Sequence, residues 1–266
     1  MKPGLSYSFR LEKQYFDCID DRGNCFIIYR VELHLFFIKI HYSELNFCDS
    51  YNITTGKSSL RKTVNPESGE LLNYINTPLD LRGSWKRIDG SLPSYLFRDS
   101  ENRELIWNCH HPKALTDIAH NGRTFRGYGY GETLFLTIKP WNLPIEELRW
   151  GRFLSDEYTI IWINWKGTHP LNKLYCNGKE YNDALFENDR INFDAGNYFL
   201  IFTETAVIRK GKLSSLFSEI PWMKIFINNR ILNISENKFK SKSILSHNSE
   251  IKASGWSLYE IVRWKN

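Results

Sequence analysis

The sequence predicts an all-β fold of two consecutive antiparallel barrels with few short helices. Three observations carry this expectation. Of the 266 residues 15% are aromatic, with 9 Trp, 14 Tyr and 17 Phe, and the runs rich in Ile, Phe, Tyr and Trp suit a pleated, half-buried surface. Short strand-like runs recur at regular spacing, separated by breaks rich in Gly, Asn, Asp, Ser and Pro, as in a sandwich or barrel. Near the middle, residues 140–152 read PWNLPIEELRWGR, and two prolines do not both fit inside a central strand. The chain is therefore divided into an N-terminal barrel over residues 1–145 and a C-terminal barrel over residues 146–266, each half long enough for a small core.

From the N-terminus, residues 14–17 form a first strand and DDRGN at 20–24 is a polar turn with a glycine. Residues 25–29 and 31–41 follow, with partial alternation of apolar and polar positions. Two apolar runs flanking such a turn read as a hairpin. Further strands are expected at 45–48, 83–87, 95–98, 104–109, 114–119 and 133–138. In the interruption, Pro144 is placed to open a short helix with Glu146 and Glu147 in its first turn, where acidic groups suit the dipole. In the second half, 158–165 is a strong strand ended at Gly167. Residues 174–176 and 179–181 flank Asn177-Gly178, the preferred pair for a type I′ hairpin. Strands are expected at 197–203, 222–227, 231–234, 238–242 and 257–264, and residues 206–217 are the best remaining helix.

Charge and motifs narrow the function classes. The net charge is +5, from 35 Lys and Arg against 30 Asp and Glu, and its densest cluster is Lys238, Lys240 and Lys242. That cluster reads as a solvated loop, and no nucleic-acid signature accompanies it. The five cysteines form no CxxC pair, and the N-terminal MKPGLSYSFRLEKQYFD has no apolar leader segment. Reduced thiols and cytoplasmic residence are expected. No run approaches the ~18 apolar residues of a membrane helix, so no integral membrane segment is expected. Neither HExxH nor a Cys/His zinc spacing occurs, and no metal or organic cofactor is expected. Gly127-Tyr128-Gly129-Tyr130-Gly131 is not GxGxxG and leads into a strand, so it lacks the helix N-terminus that holds phosphate. His110 and His111 are adjacent. On a regular strand they face opposite sides, which lets one enter a barrel, as a structural histidine or a proton relay.

Residues 127–153, GYGYGETLFLTIKPWNLPIEELRWGRF, resemble the carotenoid 1,2-hydratase (hydroxyneurosporene synthase)-like and AttH-like branch of the tandem lipocalin, or calycin-like, proteins. FDCIDDRGNCFIIYRVEL (16–33), GSWKR (83–87), LIWNCHHPKA (105–114), TIIWINWKG (159–167) and WSLYEIVRW (256–264) fit the same group. The resemblance implies two consecutive lipocalin-like barrels. It implies kinship with cofactor-independent enzymes that act on hydrophobic polyenes, terpenoids or polyketides in secondary metabolism, and with pericyclases of the same double-barrel shape. In the hydratases a strand carries Tyr-x-Asp, with a Trp upstream, and the Asp is the proton donor. Tyr130-Gly131-Glu132 takes the comparable place here, with Trp107 upstream and Glu in place of Asp.

The chemistry fits those residue types. Protonating an alkene makes a carbocation, which needs a strong acid and stabilisation of positive charge. A carboxyl group in an apolar pocket has its pKa raised and stays protonated near neutral pH, the role expected of Glu132. Tyr130 would hydrogen-bond Glu132 or the substrate. Aromatic faces stabilise a desolvated cation by about 1–2 kcal/mol each, which makes Trp107, Tyr128, Tyr130 and Trp165 substrate-binding candidates, with His110 beside them. Two alternatives stay open. An arginine partner among Arg126, Arg149 and Arg152 would lower the pKa of Glu132 and make it structural. A lipocalin-like barrel also binds a lipophilic molecule without chemistry. The Glu132 side chain is expected in the apolar cavity of the N-terminal barrel or in the cleft between barrels, with Tyr130 on the same face.

Overall fold

A computed structural model describes residues 8–66, 69–212 and 233–264. The chain divides into two compact units, Met1–Asn142 and Leu143–Asn266. In the first, the strands are β1 (Phe9–Asp20), β2 (Cys25–Leu35), β3 (Ile38–Cys48), β4 (Thr54–Ser59), β5 (Leu71–Asn76), β6 (Leu81–Arg87), β7 (Leu92–Arg98), β8 (Glu104–His120) and β9 (Arg123–Leu136). They form one antiparallel sheet in the order β4-β3-β2-β1-β9-β8-β6-β5, with β7 on β8. Alternation dictates the faces: along β5 every second residue, Leu72, Tyr74 and Asn76, is buried. The sheet curls, because Phe16 of β1 lies 5.7 Å from the ring of Tyr74 in β5 and 5.2 Å from Trp85 in β6, strands remote in sheet order. Phe16, Phe26, Ile28, Leu45, Tyr74 and Trp85 belong to the resulting core.

The second unit repeats this plan with β10 (Glu147–Leu154), β11 (Thr159–Lys166), β12 (Leu171–Cys176), β13 (Lys179–Tyr181), β14 (Leu185–Phe186), β15 (Arg190–Phe193), β16 (Tyr198–Lys212), β17 (Ser235–His247) and β18 (Glu250–Arg263). The order is β13-β12-β11-β10-β18-β17-β16-β15-β14. Its core gathers Phe153, Trp162, Leu174, Phe193, Leu245 and Tyr259. Tyr181 of β13 packs edge-on against Phe193 of β15 at 5.1 Å, which closes the curl. Asn177 and Gly178 both take positive φ, 49° and 82°, as a type I′ turn requires.

Several sequence expectations are corrected. Pro144 opens no helix: Glu147 starts β10, and the Glu146 N–H already donates to the Lys166 carbonyl at 2.8 Å. A single 3₁₀ turn, Pro140–Asn142, stands in the interruption. Of the helix expected at 206–217, residues 206–212 are strand, held against β17, and 213–217 lie outside the described residues. The strands expected at 222–227 and 231–234 fall outside them too, apart from 233–234. Residues 104–109 and 114–119 are one long strand. Lys238 and Lys240 are buried in β17 rather than solvated, and Lys238 Nζ sits 2.6 Å from both Glu236 and Glu260. Among the described residues no helix is long and apolar enough to cross a membrane.

Candidate active site

The site is built on the β1–β9 pair. Their register is unbroken, with Tyr15 opposite Glu132, Phe16 opposite Gly131, and Asp17 opposite Tyr130. Directly opposed residues share a face and successive residues alternate. Phe16 and Gly131 therefore look into the barrel core, whereas Tyr15, Asp17, Tyr130 and Glu132 line the other face. Of the two places expected for the Glu132 carboxyl, the register turns it away from the Phe16 side of the sheet, and Tyr130 shares its face as expected. Glu132 is nonetheless buried, at 6% exposure.

Two neutral donors converge on one oxygen of Glu132. The Tyr130 hydroxyl donates to Oε2 at 2.6 Å, and the Trp107 indole N–H donates to the same Oε2. Trp107 reaches it because Leu134, on the Glu132 face, is its partner across β8 and β9. Tyr15 donates to Asp17 Oδ2 at 3.0 Å, and its ring meets Tyr130 edge-on at 5.9 Å. Cys109, two residues beyond Trp107, completes the group. Burial pushes its thiol well above the ordinary range, Tyr130 pulls it down through a hydrogen bond, and the charges of Glu132 and Asp17 push it up. Burial, followed by Cys109 and Glu132, also raises the Tyr130 phenol. Both groups thus stay protonated at neutral pH, and the Tyr130 hydroxyl acts as a donor.

His110 and His111 do not split across the sheet as a regular strand would have them. The β8–β9 register slips between Asn108 and His111 and again between His111 and Ala114. These bulges re-aim side chains, and both histidines are buried with their Nδ1 atoms 2.7 Å apart. His110 packs against Phe16, 6.2 Å between rings, on the core side. Burial brings its pKa down to about 4, helped by His111 and Arg87 and opposed by bonding to the Glu132 backbone. Burial also lowers His111, against bonding to the Glu70 and Trp85 backbone.

The remaining expected residues make contacts of their own. Tyr128 is half-buried, and Lys113 Nζ lies 4.8 Å from its ring centroid, so a cation of the protein already uses that ring. Trp165 belongs to the second unit, where its indole donates to the His169 carbonyl at 2.6 Å. Of the three arginines weighed as partners, Arg126 pairs with Asp117 and Arg149 with Glu147. Arg152 is fully buried, and one of its contacts is a hydrogen bond to the Trp256 carbonyl at 3.0 Å. Tyr15, Asp17 and Cys109 are members of the cluster that sequence reasoning missed. The signal was present: Tyr15-Phe16-Asp17 repeats the Tyr-x-carboxylate spacing of Tyr130-Gly131-Glu132. No group of three His, Cys, Asp or Glu suited to a metal ion occurs among the described residues.

No protein-family model and no curated protein matches this sequence. Solved structures do. CghA superposes with a TM-score of 0.61 at 11% identity, over 97% of this chain and 89% of its own. A putative AttH, NE1406 from Nitrosomonas europaea, gives 0.60 at 8% identity, over 99% and 95%. Kievitone hydratase from Nectria haematococca gives 0.55 at 10% identity, over 99% and 93%. Identities this low establish shared architecture alone, and the two curled antiparallel sheets are consistent with it. This chain has a tandem lipocalin-like fold, shared with CghA, the putative AttH and kievitone hydratase.

Proposed function

We propose that this protein is a cofactor-independent enzyme that protonates an alkene of a hydrophobic polyene, terpenoid or polyketide, with Glu132 as the general acid. The observation that carries the reading is the convergence of Tyr130 and Trp107 on Glu132 Oε2 in a buried aromatic setting. On this reading the Glu132 carboxyl carries the acid proton. Glu132 transfers that proton to an alkene carbon, and the π electrons form the new C–H bond and leave a carbocation on the neighbouring carbon. Water then adds and returns a proton to the Glu132 carboxylate, which completes hydration. Loss of an adjacent proton to the carboxylate gives isomerisation instead, and attack by a second alkene before that loss gives cyclisation. Trp107, Tyr130 and Tyr15 offer π faces to the cation. Shared architecture with a protein named as a hydratase, and with CghA, which has been solved with Sch210972, supports this substrate class.

The test is incubation of the purified protein with acyclic polyenes in deuterated water, with mass spectrometry of the products. The reading expects solvent deuterium on carbon, and a turnover loss of about 10²–10⁴-fold in Glu132→Gln with ligand binding kept. Polyenes that bind without being converted favour the lipocalin-like carrier. A Glu132→Gln protein that melts earlier but turns over normally makes the carboxyl structural.

A further inference from the structure

The β2–β3 hairpin ends in two exposed aromatics. Phe36 is 62% and Phe37 is 92% exposed, and they are the only two residues between Leu35 and Ile38. The backbone there is unusual. Phe36 has φ 53°, a conformation in which a bulky side chain is an outlier. Three other two-residue hairpins among the described residues place asparagine at this position: Asn121 (φ 49°), Asn177 (φ 49°) and Asn248 (φ 50°). Only here does the turn hold phenylalanine in left-handed backbone and direct a second phenylalanine into water. Strained backbone of this kind persists where the residue serves a purpose, and core packing is not that purpose at these exposures.

The surroundings of the tip are cationic and aromatic. Lys139 Nζ lies 5.5 Å from the Phe36 ring and 5.6 Å from Trp141, and Trp141 meets Phe9 edge-on at 6.2 Å. Arg10 caps Phe135 at 5.0 Å, and Lys39, 45% exposed, follows the tip directly. The carboxylates at this end, Glu12 and Glu32, are each already within reach of cations: Arg10 and Arg30 for Glu12, and Arg30 and Lys39 for Glu32, with the His34 and His41 rings also beside Glu32. The local field is positive. His41 is lowered by burial first, and Lys39, Lys62 and Arg30 lower it further against the single opposing charge of Glu32.

We infer that the Phe36–Phe37 tip, ringed by Lys39, Lys139 and Arg10, docks the N-terminal unit on the surface of an anionic phospholipid bilayer. Exposed aromatics enter the interfacial region while basic side chains meet the lipid phosphates, the arrangement of interfacially bound proteins. The tip inserts without spanning, since a two-residue turn reaches only the headgroup and upper acyl zone. The inference stands whether or not Glu132 is an acid, and it is read by binding alone.

The test is co-sedimentation of the full chain with phosphatidylcholine vesicles, with and without phosphatidylglycerol. The protein is expected to pellet with the anionic vesicles, less with pure phosphatidylcholine, and less as salt rises. Phe37→Ser is expected to weaken partitioning about 10- to 100-fold, the worth of one buried phenylalanine, with an unchanged circular dichroism spectrum because Phe37 is almost fully exposed. A wild-type protein that stays in the supernatant overturns the inference, as does a Phe37→Ser protein that pellets equally. Equal pelleting with pure phosphatidylcholine overturns the anionic-lipid assignment. A dimer in light scattering that Phe37→Ser abolishes would make a second copy of the chain the occupant and overturn it as well.

Discussion

The Tyr130 hydroxyl donates to Glu132 Oε2 across 2.6 Å from two positions earlier on the same strand. The contact is local, yet its burial is not: Tyr130 is fully enclosed. Tyr130→Phe keeps the ring and its edge contact with Tyr15 but removes a hydrogen bond to a carboxyl, worth about 1.5–3 kcal/mol when the acceptor is charged. On the proposed mechanism Tyr130 positions the acid and does not supply the proton. Turnover in Tyr130→Phe is therefore expected to fall about 10- to 100-fold, less than in Glu132→Gln. Parallel kcat measurements on the two variants check this, and an equal or larger loss in Tyr130→Phe would reverse the assigned roles.

The glycines of GYGYG are explained by packing. Gly129 and Gly131 face the core, and a methyl group on Gly129 would overlap the Asp17 carbonyl oxygen and Thr116 Oγ1 and come within 2.9 Å of Trp85 Nε1. Backbone does not yield as a side chain does. On Gly131 the same methyl would meet His110 Cε1 at 3.0 Å and Phe16 Cδ1 at 3.3 Å, both side-chain atoms that can shift. Gly129→Ala is expected to destabilise by about 3 kcal/mol or more and Gly131→Ala by about 1 kcal/mol. Denaturant melts of both variants check the order, and equal losses would contradict it.

What the sequence made legible was local. Tyr130 and Glu132 share a face because a strand repeats every two residues, and the Asn177-Gly178 turn follows from its residue types. What stayed hidden depended on register. Nothing near Glu132 in sequence announces that Tyr15 lies opposite it, 117 positions away (132 minus 15). The two bulges in β8 carry no sequence mark, so the adjacent His110 and His111 were expected on opposite faces. Lys238 reads as surface until Glu260 arrives across β18 to hold it. The helix expected after Pro144 lost to pairing between β10 and β11, whose backbone bonds use the groups a helix would need.

The thiols give a chemical check on the first unit. Cys18, Cys25, Cys48 and Cys109 are fully buried and Cys176 nearly so, with burial pushing the Cys176 thiol up to about 11. High pKa and low exposure both suppress thiolate reactivity. The native protein is expected to react slowly with a disulfide reagent, and the denatured, unreduced protein to release all five thiols. A denatured count well below five, at Cys25 and Cys48 above all since they face each other across β2 and β3, would show a disulfide instead.

Protonation of the histidine pair costs the fold stability in mild acid. His110 titrates near 4 in the folded chain and near 6.5 when exposed, chiefly because burial disfavours its charged form. Between those values the unfolded chain binds more protons, so stability rises with pH across the window and falls as pH drops from 6.5 toward 4. The full shift corresponds to about 3 kcal/mol. His111 and His41 are lowered too and add to the same slope. Carboxylates contribute elsewhere: Glu32, which burial raises but Lys39 and His34 bring down to about 2, destabilises only as pH falls from 4.5 toward 2. Melts compared at about pH 7 and about pH 5 therefore read the histidine window clear of Glu32, and the His110 variant separates its share from that of other groups titrating there. His110→Gln cannot take the charge. It is expected to be less stable than the wild type near neutrality, because the contact to His111 is altered, yet to lose less stability between the two pH values. A variant with the wild-type slope would place the acid sensitivity outside this pair.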